Sequence, residues 1–341
     1  MHDLSRGTIA VTGGAGLIGS AVIWALNRRG LERILVADRL DRSEKWRHLV
    51  PLRFDDYLDA DELIERLERR ADAFGDLRTI LHFGACSSTT ETDAAYLLRN
   101  NYEYTKRLAE WSRVSGVRFV YASSAATYGA LEENLSDEAD LRTLRPLNAY
   151  AFSKHLFDLY ANRTGLDAHG CGIKYFNVFG PNEDHKAEMR SMVLKAYEQI
   201  RATGSVKLFK SYRPDFADGE QRRDFIYVKD AAEITVHLAQ AGTTGLVNVG
   251  AGRAQTWLDL VRPIFRALDV PERIEFVEMP EQLRGKYQYS TRARIDRLRA
   301  SGYDAPMTPL EIAVTDYVAA YLVPGRGLDP SDAPMEAPAA R

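Results

Sequence analysis

The chain has 341 residues, 45% of them hydrophobic and 27% charged, an ordinary globular balance able to bury a sizeable core. Against 48 Asp and Glu stand 45 Lys and Arg, a formal net charge of -3, and no stretch concentrates basic residues as a nucleic-acid binder does. Two distant cysteines, Cys86 and Cys171, exclude a disulfide framework and suit a reducing cytoplasm, and no apolar run reaches the ~18 residues of a membrane span.

Residues 8–12 read as a short buried strand, and Gly13-Gly14-Ala15-Gly16-Leu17-Ile18-Gly19 follows at once. A helix over 20–29 ends at Gly30, and a second strand over 34–37 leads to Asp38, completing a βαβ unit. Gly13, Gly16 and Gly19 between strand and helix let the backbone approach a pyrophosphate at the helix N-terminus. Asp38 is the acid expected to accept from an adenosine ribose, which favours NAD. Arg39 and Lys45 are placed to neutralise a 2′-phosphate instead, and the residues leave that choice open. Asp56 is expected either to reach the adenine or to cap the helix that follows over 60–70.

A strand over 79–83 ends in His82-Phe83-Gly84-Ala85-Cys86-Ser87, at the strand end where open α/β sheets bind ligands. Cys86 reads as a small hydrophobe there. A helix over 94–115 leads to a strand over 118–122, whose end carries Ser123 and Ser124, hydroxyls suited to a sugar oxygen. The next helix, over 150–163, places Tyr150 and Lys154 on one face. An ammonium there is expected to lower a phenol pKa from ~10, making a usable base toward a sugar hydroxyl. With a strand over 172–176, the alternation implies an α/β fold: a doubly wound parallel sheet of Rossmann type.

After Gly180-Pro181 the rhythm breaks. A helix over 189–202, a strand over 207–209 and a polar loop over 210–222 are followed by a strand (224–228), helix (230–240) and strand (246–249) returning to the first lobe. A helix over 257–268 and a strand around 274–278 come next. The expected division is a dinucleotide-binding domain over 1–180 with a returning segment near 224–255. A smaller, mixed α/β substrate-binding lobe takes 181–223 and 256–323, and a disordered tail takes 324–341. Phe209-Lys210-Ser211-Tyr212-Arg213, Arg222-Arg223-Asp224 and Arg284-Gly285-Lys286-Tyr287 cluster in the smaller lobe and suit a nucleotide-sugar pocket, since arginine forks match phosphate. The seven histidines show no metal-ligand spacing, and no metal is expected.

With these residues in place the chain resembles the extended short-chain dehydrogenases/reductases and, within them, the ADP-heptose 6-epimerases, over roughly 8–323. The segments that carry the likeness are Gly84-Ala85-Cys86-Ser87-Ser88-Thr89-Thr90-Glu91, the stretch 121–129, Tyr175-Phe176-Asn177-Val178-Phe179-Gly180-Pro181 with His185-Lys186, Arg223-Asp224-Phe225-Ile226-Tyr227-Val228, and Leu283-Arg284-Gly285-Lys286-Tyr287-Gln288. The resemblance implies a tightly held NADP, with NAD as the other possibility. It also implies inversion at C6″ of an ADP-heptose through a transient ketone, supplying lipopolysaccharide inner core, with Tyr150 and Lys186 as the two acid/base residues. Lys154 would orient the nicotinamide ribose and Ser124 would bond the reacting oxygen.

By the same resemblance, cofactor contacts fall on Leu17, Ile18, Asp38, Arg39, Lys45, Phe83, Gly84, Ala85, Cys86, Ser87, Asn100, Lys154, Val178 and Lys186. Substrate contacts fall on Asn177, Glu188, Lys195, Phe209, Lys210, Ser211, Tyr212, Arg223 and Tyr287. Phe83 stands where the family often has a carboxylate, and Glu188 and Lys195 replace a serine and a histidine. A homo-oligomer is expected. The rivals are a C4 epimerase of a UDP-hexose, which has no evident need for His185-Lys186, and a nonenzymatic NADP-binding sensor. Ala125 and Ala126 disfavour a 4,6-dehydratase.

Overall fold

Six strands, β1 (Thr8–Thr12), β2 (Ile34–Asp38), β3 (Asp56–Asp59), β4 (Leu77–His82), β5 (Arg118–Ser124) and β6 (Gly170–Tyr175), form most of one parallel sheet in the computed structural model, which describes residues 1–69, 74–284 and 287–332. The seventh, β11 (Gly245–Val249), closes the order β11-β6-β5-β4-β1-β2-β3. Every neighbour pairs in parallel. The chain winds outward in one direction from β1 through β2 and in the other through β4, so the crevice opens at the ends of β1 and β4, where Thr12 pairs with His82.

The strands are apolar on both faces, as a doubly covered sheet requires. Ile9, Val11, Ile34 and Val36 face one core with α1 (Leu17–Asn27), whereas Ala10, Leu35 and Ala37 face the other. The second core is covered by α2 (Ala60–Arg69), α4 (Tyr104–Ser115) and α5 (Ala149–Thr164). The helix expected over 94–115 is α3 (Ala94–Leu97) running through a π turn, Leu98–Glu103, into α4. Asn101 in that turn is fully buried and bonds both the N–H and the carbonyl of Cys86, each at 2.9 Å. The wider turn therefore fixes a loop at the crevice.

The smaller lobe departs from expectation. β7 (Asn177–Phe179) pairs in parallel with β10 (Phe225–Tyr227), away from the main sheet, so of the returning segment only β11 rejoins it. α6 (Met192–Thr203) leads into β8 (Val206–Phe209), which pairs with β13 (Ile274–Val277). β9 (Arg222–Arg223) pairs antiparallel with β12 (Gln255–Thr256). α7 (Val228–Ala241) packs in the first core and α8 (Trp257–Ala267) supports the smaller lobe.

The segment 324–332, expected to be disordered, is packed against α1. Leu328 is fully buried and its N–H donates to Asn182 (3.2 Å). Trp24 Nε1 donates to the Asp329 carbonyl (3.0 Å) and Arg28 to that of Asp332 (2.6 Å). The rest of that tail, 333–341, lies outside the described residues, as do Arg70, Gly285 and Lys286. No described helix is long and apolar enough to cross a membrane.

Candidate active site

A cavity of about 560 Å³ lies at the crevice between the two lobes. Gly13 turns the chain out of β1 with φ +66°, and a Cβ there would lie 2.5 Å from the Gly84 nitrogen. A Cβ on Gly19 would collide with the Gly13 carbonyl. The first turn of α1 has no side-chain cap and no acidic residue, so its amides face an incoming anion unopposed. Such a cradle fits the pyrophosphate of a dinucleotide. Gly13, Gly16, Leu17, Ile18, Gly19, Phe83, Gly84, Ala85, Ser87 and Val178 all line the cavity.

Asp38 and Lys45 line its far end. The Asp38 carboxylate is 6% exposed and accepts from the N–H groups of Ala15 (2.8 Å) and Arg39 (2.7 Å) and from Lys45 Nζ (2.8 Å). Arg39 donates to Asn100 and to Asp61, and neither Arg39 nor Asn100 lies in the cavity wall. Cys86 is also outside the wall, its backbone taken by Asn101. Asp56 neither reaches the cavity nor caps α2. It is exposed on edge strand β3, and Asp59 caps the helix by accepting from Asp61 N–H (2.8 Å).

Ser124, Tyr150, Lys154 and Lys186 meet in this one cavity. Asn148 N-caps α5 by accepting from Ala151 N–H (2.8 Å), which sets Tyr150 in the first turn and Lys154 one turn on. The expected lowering of Tyr150 by Lys154 is absent. Enclosure in the wall raises the phenol, the Ser124 hydroxyl works against that shift by hydrogen bonding, and the Lys154 ammonium is turned to the Ala122 carbonyl (2.9 Å). Burial brings Lys154 down to about 8. It also lowers Lys186, with Glu183 acting against it, and among the described residues nothing bonds the Lys186 ammonium.

A buried network sets this frame. Lys174 Nζ donates to Asp158 (2.7 Å) and Thr127 (2.6 Å), and Asp158 also accepts from Ser123 (2.7 Å) and Tyr121 (3.2 Å). It joins the end of β5, which carries Ser124, to the turn of α5 after Lys154. His82 lies beneath the crevice, with Nδ1 2.6 Å from Thr12 Oγ1 and Nε2 2.8 Å from Thr105 Oγ1. Burial drives its pKa down to about 3. Its neutral form therefore stabilises the fold fully above the unfolded value of about 6.5, and that contribution is lost as pH falls from there toward 3. Replacing His82 by Gln is expected to flatten the fall in melting temperature between about pH 7 and pH 5, measured by calorimetry. An unchanged slope would remove His82 as its source.

At the other end, Asn177, Glu188 and Arg223 line the cavity. The Arg223 guanidinium lies over the Tyr287 ring (5.0 Å) and the Trp257 ring (5.8 Å), and Trp257 Nε1 donates to Tyr287 Oη (2.9 Å). Tyr287 thus stands behind Arg223 rather than in the wall. Lys195 bonds the Glu188 carbonyl (2.5 Å), Lys210 and Tyr212 both bond Glu278, and Ser211 bonds the Arg213 carbonyl (3.0 Å). Phe209 packs edge-on to Tyr287 at 6.5 Å. The run 209–212 and Lys195 are therefore near the site but outside its wall. Trp257 and Thr291, for which the sequence suggests no contact, also line it, as does Gln288, which the resemblance names without a role. Trp257 carried a signal, since it opens α8 directly after N-cap Thr256, within the capping box that Thr256 makes with Asp259.

Among the described residues, His48, Asp184 and His185 are the one group close enough to hold a metal ion. Both His48 nitrogens are already engaged; burial above all depresses His185 to about 4, with Lys45 and Lys186 adding to it, and two ammonium groups so near oppose a divalent cation.

Residues 9–250 match the NAD dependent epimerase/dehydratase family. A relative from Nitratidesulfovibrio vulgaris (strain DP4), named ADP-L-glycero-D-manno-heptose-6-epimerase, is 50% identical over 314 residues, 92% of this chain and 97% of its own. One of the same name from Fusobacterium nucleatum subsp. nucleatum is 44% identical over 325 residues, 92% of this chain and 98% of its own. The crystal structure of the Helicobacter pylori ADP-L-glycero-D-manno-heptose-6-epimerase superposes with a TM-score of 0.79 at 27% identity, covering 94% of this chain and 98% of that one.

Proposed function

We propose that this chain, which belongs to the NAD dependent epimerase/dehydratase family and within it to the ADP-L-glycero-D-manno-heptose-6-epimerases, works with NADP as its resident dinucleotide and with Tyr150 and Lys186 as its two acid/base groups. The enzyme is an isomerase of a nucleotide sugar, inverting C6″ of ADP-D-glycero-β-D-manno-heptose. The observation that carries the acid/base reading is that Tyr150 and Lys186, from separate segments, line one cavity with the glycine turn.

A nicotinamide dinucleotide, when bound, supplies a hydride acceptor that becomes the donor within the same turnover, so no net oxidation results. The glycine turn and the α1 amides hold its pyrophosphate. Inversion through a 6″-ketone requires proton transfer at the substrate oxygen in two orientations, hence two acid/base groups. Tyr150 Oη serves one. Lys186 Nζ, lowered by burial and free of an ion-pair partner among the described residues, serves the other. Ser124 Oγ donates to the reacting oxygen, and Lys154 holds the nicotinamide ribose. Arg223, braced on two aromatic rings, takes the substrate's diphosphate.

The preference for NADP is supported by Asp38, whose carboxylate is already engaged by Lys45 and two backbone N–H groups. That leaves it poorly able to accept from a ribose, while Lys45 in the cavity wall supplies positive charge for a 2′-phosphate. Denaturing the purified protein and identifying the released dinucleotide by mass spectrometry is expected to give NADP; NAD alone would reverse the preference. Incubation with ADP-D-glycero-β-D-manno-heptose is expected to invert C6″ by NMR. No conversion, with turnover of a UDP-hexose instead, would replace the substrate.

A further inference from the structure

Lys186 ends the first of two short 3-10 turns that make up Asp184–Met189, and the backbone breaks directly after it. Ala187 has φ 47° and ψ -122°. Those dihedrals are ones glycine adopts freely and that strain a residue with a Cβ. Such a conformation persists only where its surroundings hold it on both sides. On the far side, Arg190 grips the Ala187 carbonyl through its backbone N–H (3.3 Å) and Nε (2.8 Å).

On the near side, the grip comes from 136 residues away. Asp184 Oδ1 lies 2.7 Å from His48 Nε2. The Asp184 side chain is 63% exposed, so this surface carboxylate is fixed by a ring that is itself only 5% exposed. The other ring nitrogen, Nδ1, lies 2.8 Å from the Ala15 carbonyl in the glycine turn. The N–H of that same Ala15 donates to Asp38. The glycine turn and the Asp184 carboxylate hold the ring from its two nitrogens. The ring thus bridges the dinucleotide cradle and the Lys186 turn.

We infer that His48 is a positioning residue of the reaction, tethering the strained turn that carries Lys186 to the glycine turn through Asp184. This rests on the acid/base reading of Lys186. The tether makes the ammonium's position a function of the cradle's position, so base and dinucleotide are aligned as one unit.

The test compares His48→Ala, Asp184→Ala and the double variant of the purified enzyme with its dinucleotide, and repeats His48→Ala in a Lys186→Met background. Each single change is expected to lower kcat by about tenfold to a hundredfold, the scale of a small misplacement of a reacting group, with KM for the nucleotide sugar held within about twofold. The double variant is expected to lose no more than the worse single. In the Lys186→Met background, His48→Ala is expected to add nothing. Asp184→Ala removes an exposed side chain and leaves no cavity, so it reports even if His48→Ala fails to fold. Unchanged kcat in Asp184→Ala, additive losses, a loss confined to KM, or an undiminished effect without Lys186 would each overturn the tether. Full kcat in Lys186→Met alone would overturn the acid/base reading instead, and the tether's catalytic role with it.

Discussion

Lys186→Met is expected to lower kcat by about 10²–10⁴, and Tyr150→Phe by a similar factor, the range for loss of a positioned acid or base. Neither change disturbs the fold much. Methionine retains most of the lysine stem in the cavity wall, and phenylalanine lacks only the hydroxyl that Ser124 meets. On the proposed two-group reading, each single variant is blocked at a different oxygen orientation, and neither residue covers for the other. The double variant is therefore expected to show no epimerisation in a discontinuous NMR assay of C6″. A double variant at the wild-type rate would end the two-group reading.

Asp158→Ala is expected to cost about 3–5 kcal/mol of stability, the scale for breaking a buried ion pair and stranding its partner. The side chains of Lys174 and Asp158 are 1% and 0% exposed, and the carboxylate also serves Ser123 and Tyr121. Removing it leaves an ammonium with the Thr127 hydroxyl as its remaining hydrogen-bond partner among the described residues. By contrast, Glu68→Ala, which breaks the exposed pair with Arg107, is expected to cost at most about 1 kcal/mol. Urea denaturation compares the two. Equal losses would show that the Lys174–Asp158 pair contributes no more than a surface contact.

What could be read from sequence was local. The glycine turn, Asp38 and the Tyr150–Lys154 pair are each set by spacing within one strand–helix unit, and the structure brings Gly13, Asp38, Tyr150 and Lys154 to one cavity. What could not be read depends on pairing over distance. The 225–227 strand looks like a return to the sheet, but its partner is Asn177–Phe179, a choice no local pattern records. The run 209–212 was placed at the substrate by its residue types. β8 instead pairs with β13, and Lys210 and Tyr212 are turned to Glu278. The 324–332 segment has a loop composition, yet Trp24 and Arg28 capture its carbonyls. The lowering of Tyr150 by Lys154 was argued from helix spacing alone, which does not register that the Ala122 carbonyl takes the ammonium.

Transient oxidation with return of the same hydride has one direct measurement. Purified enzyme is incubated with ADP-D-glycero-β-D-manno-heptose carrying deuterium at C6″, in ordinary water, and the product is read by NMR and mass spectrometry. Inverted product that keeps its deuterium is expected, because the hydride taken from C6″ returns to the opposite face without meeting solvent. Inverted product with a solvent proton at C6″ would contradict it, and would point to removal of a carbon-bound proton instead.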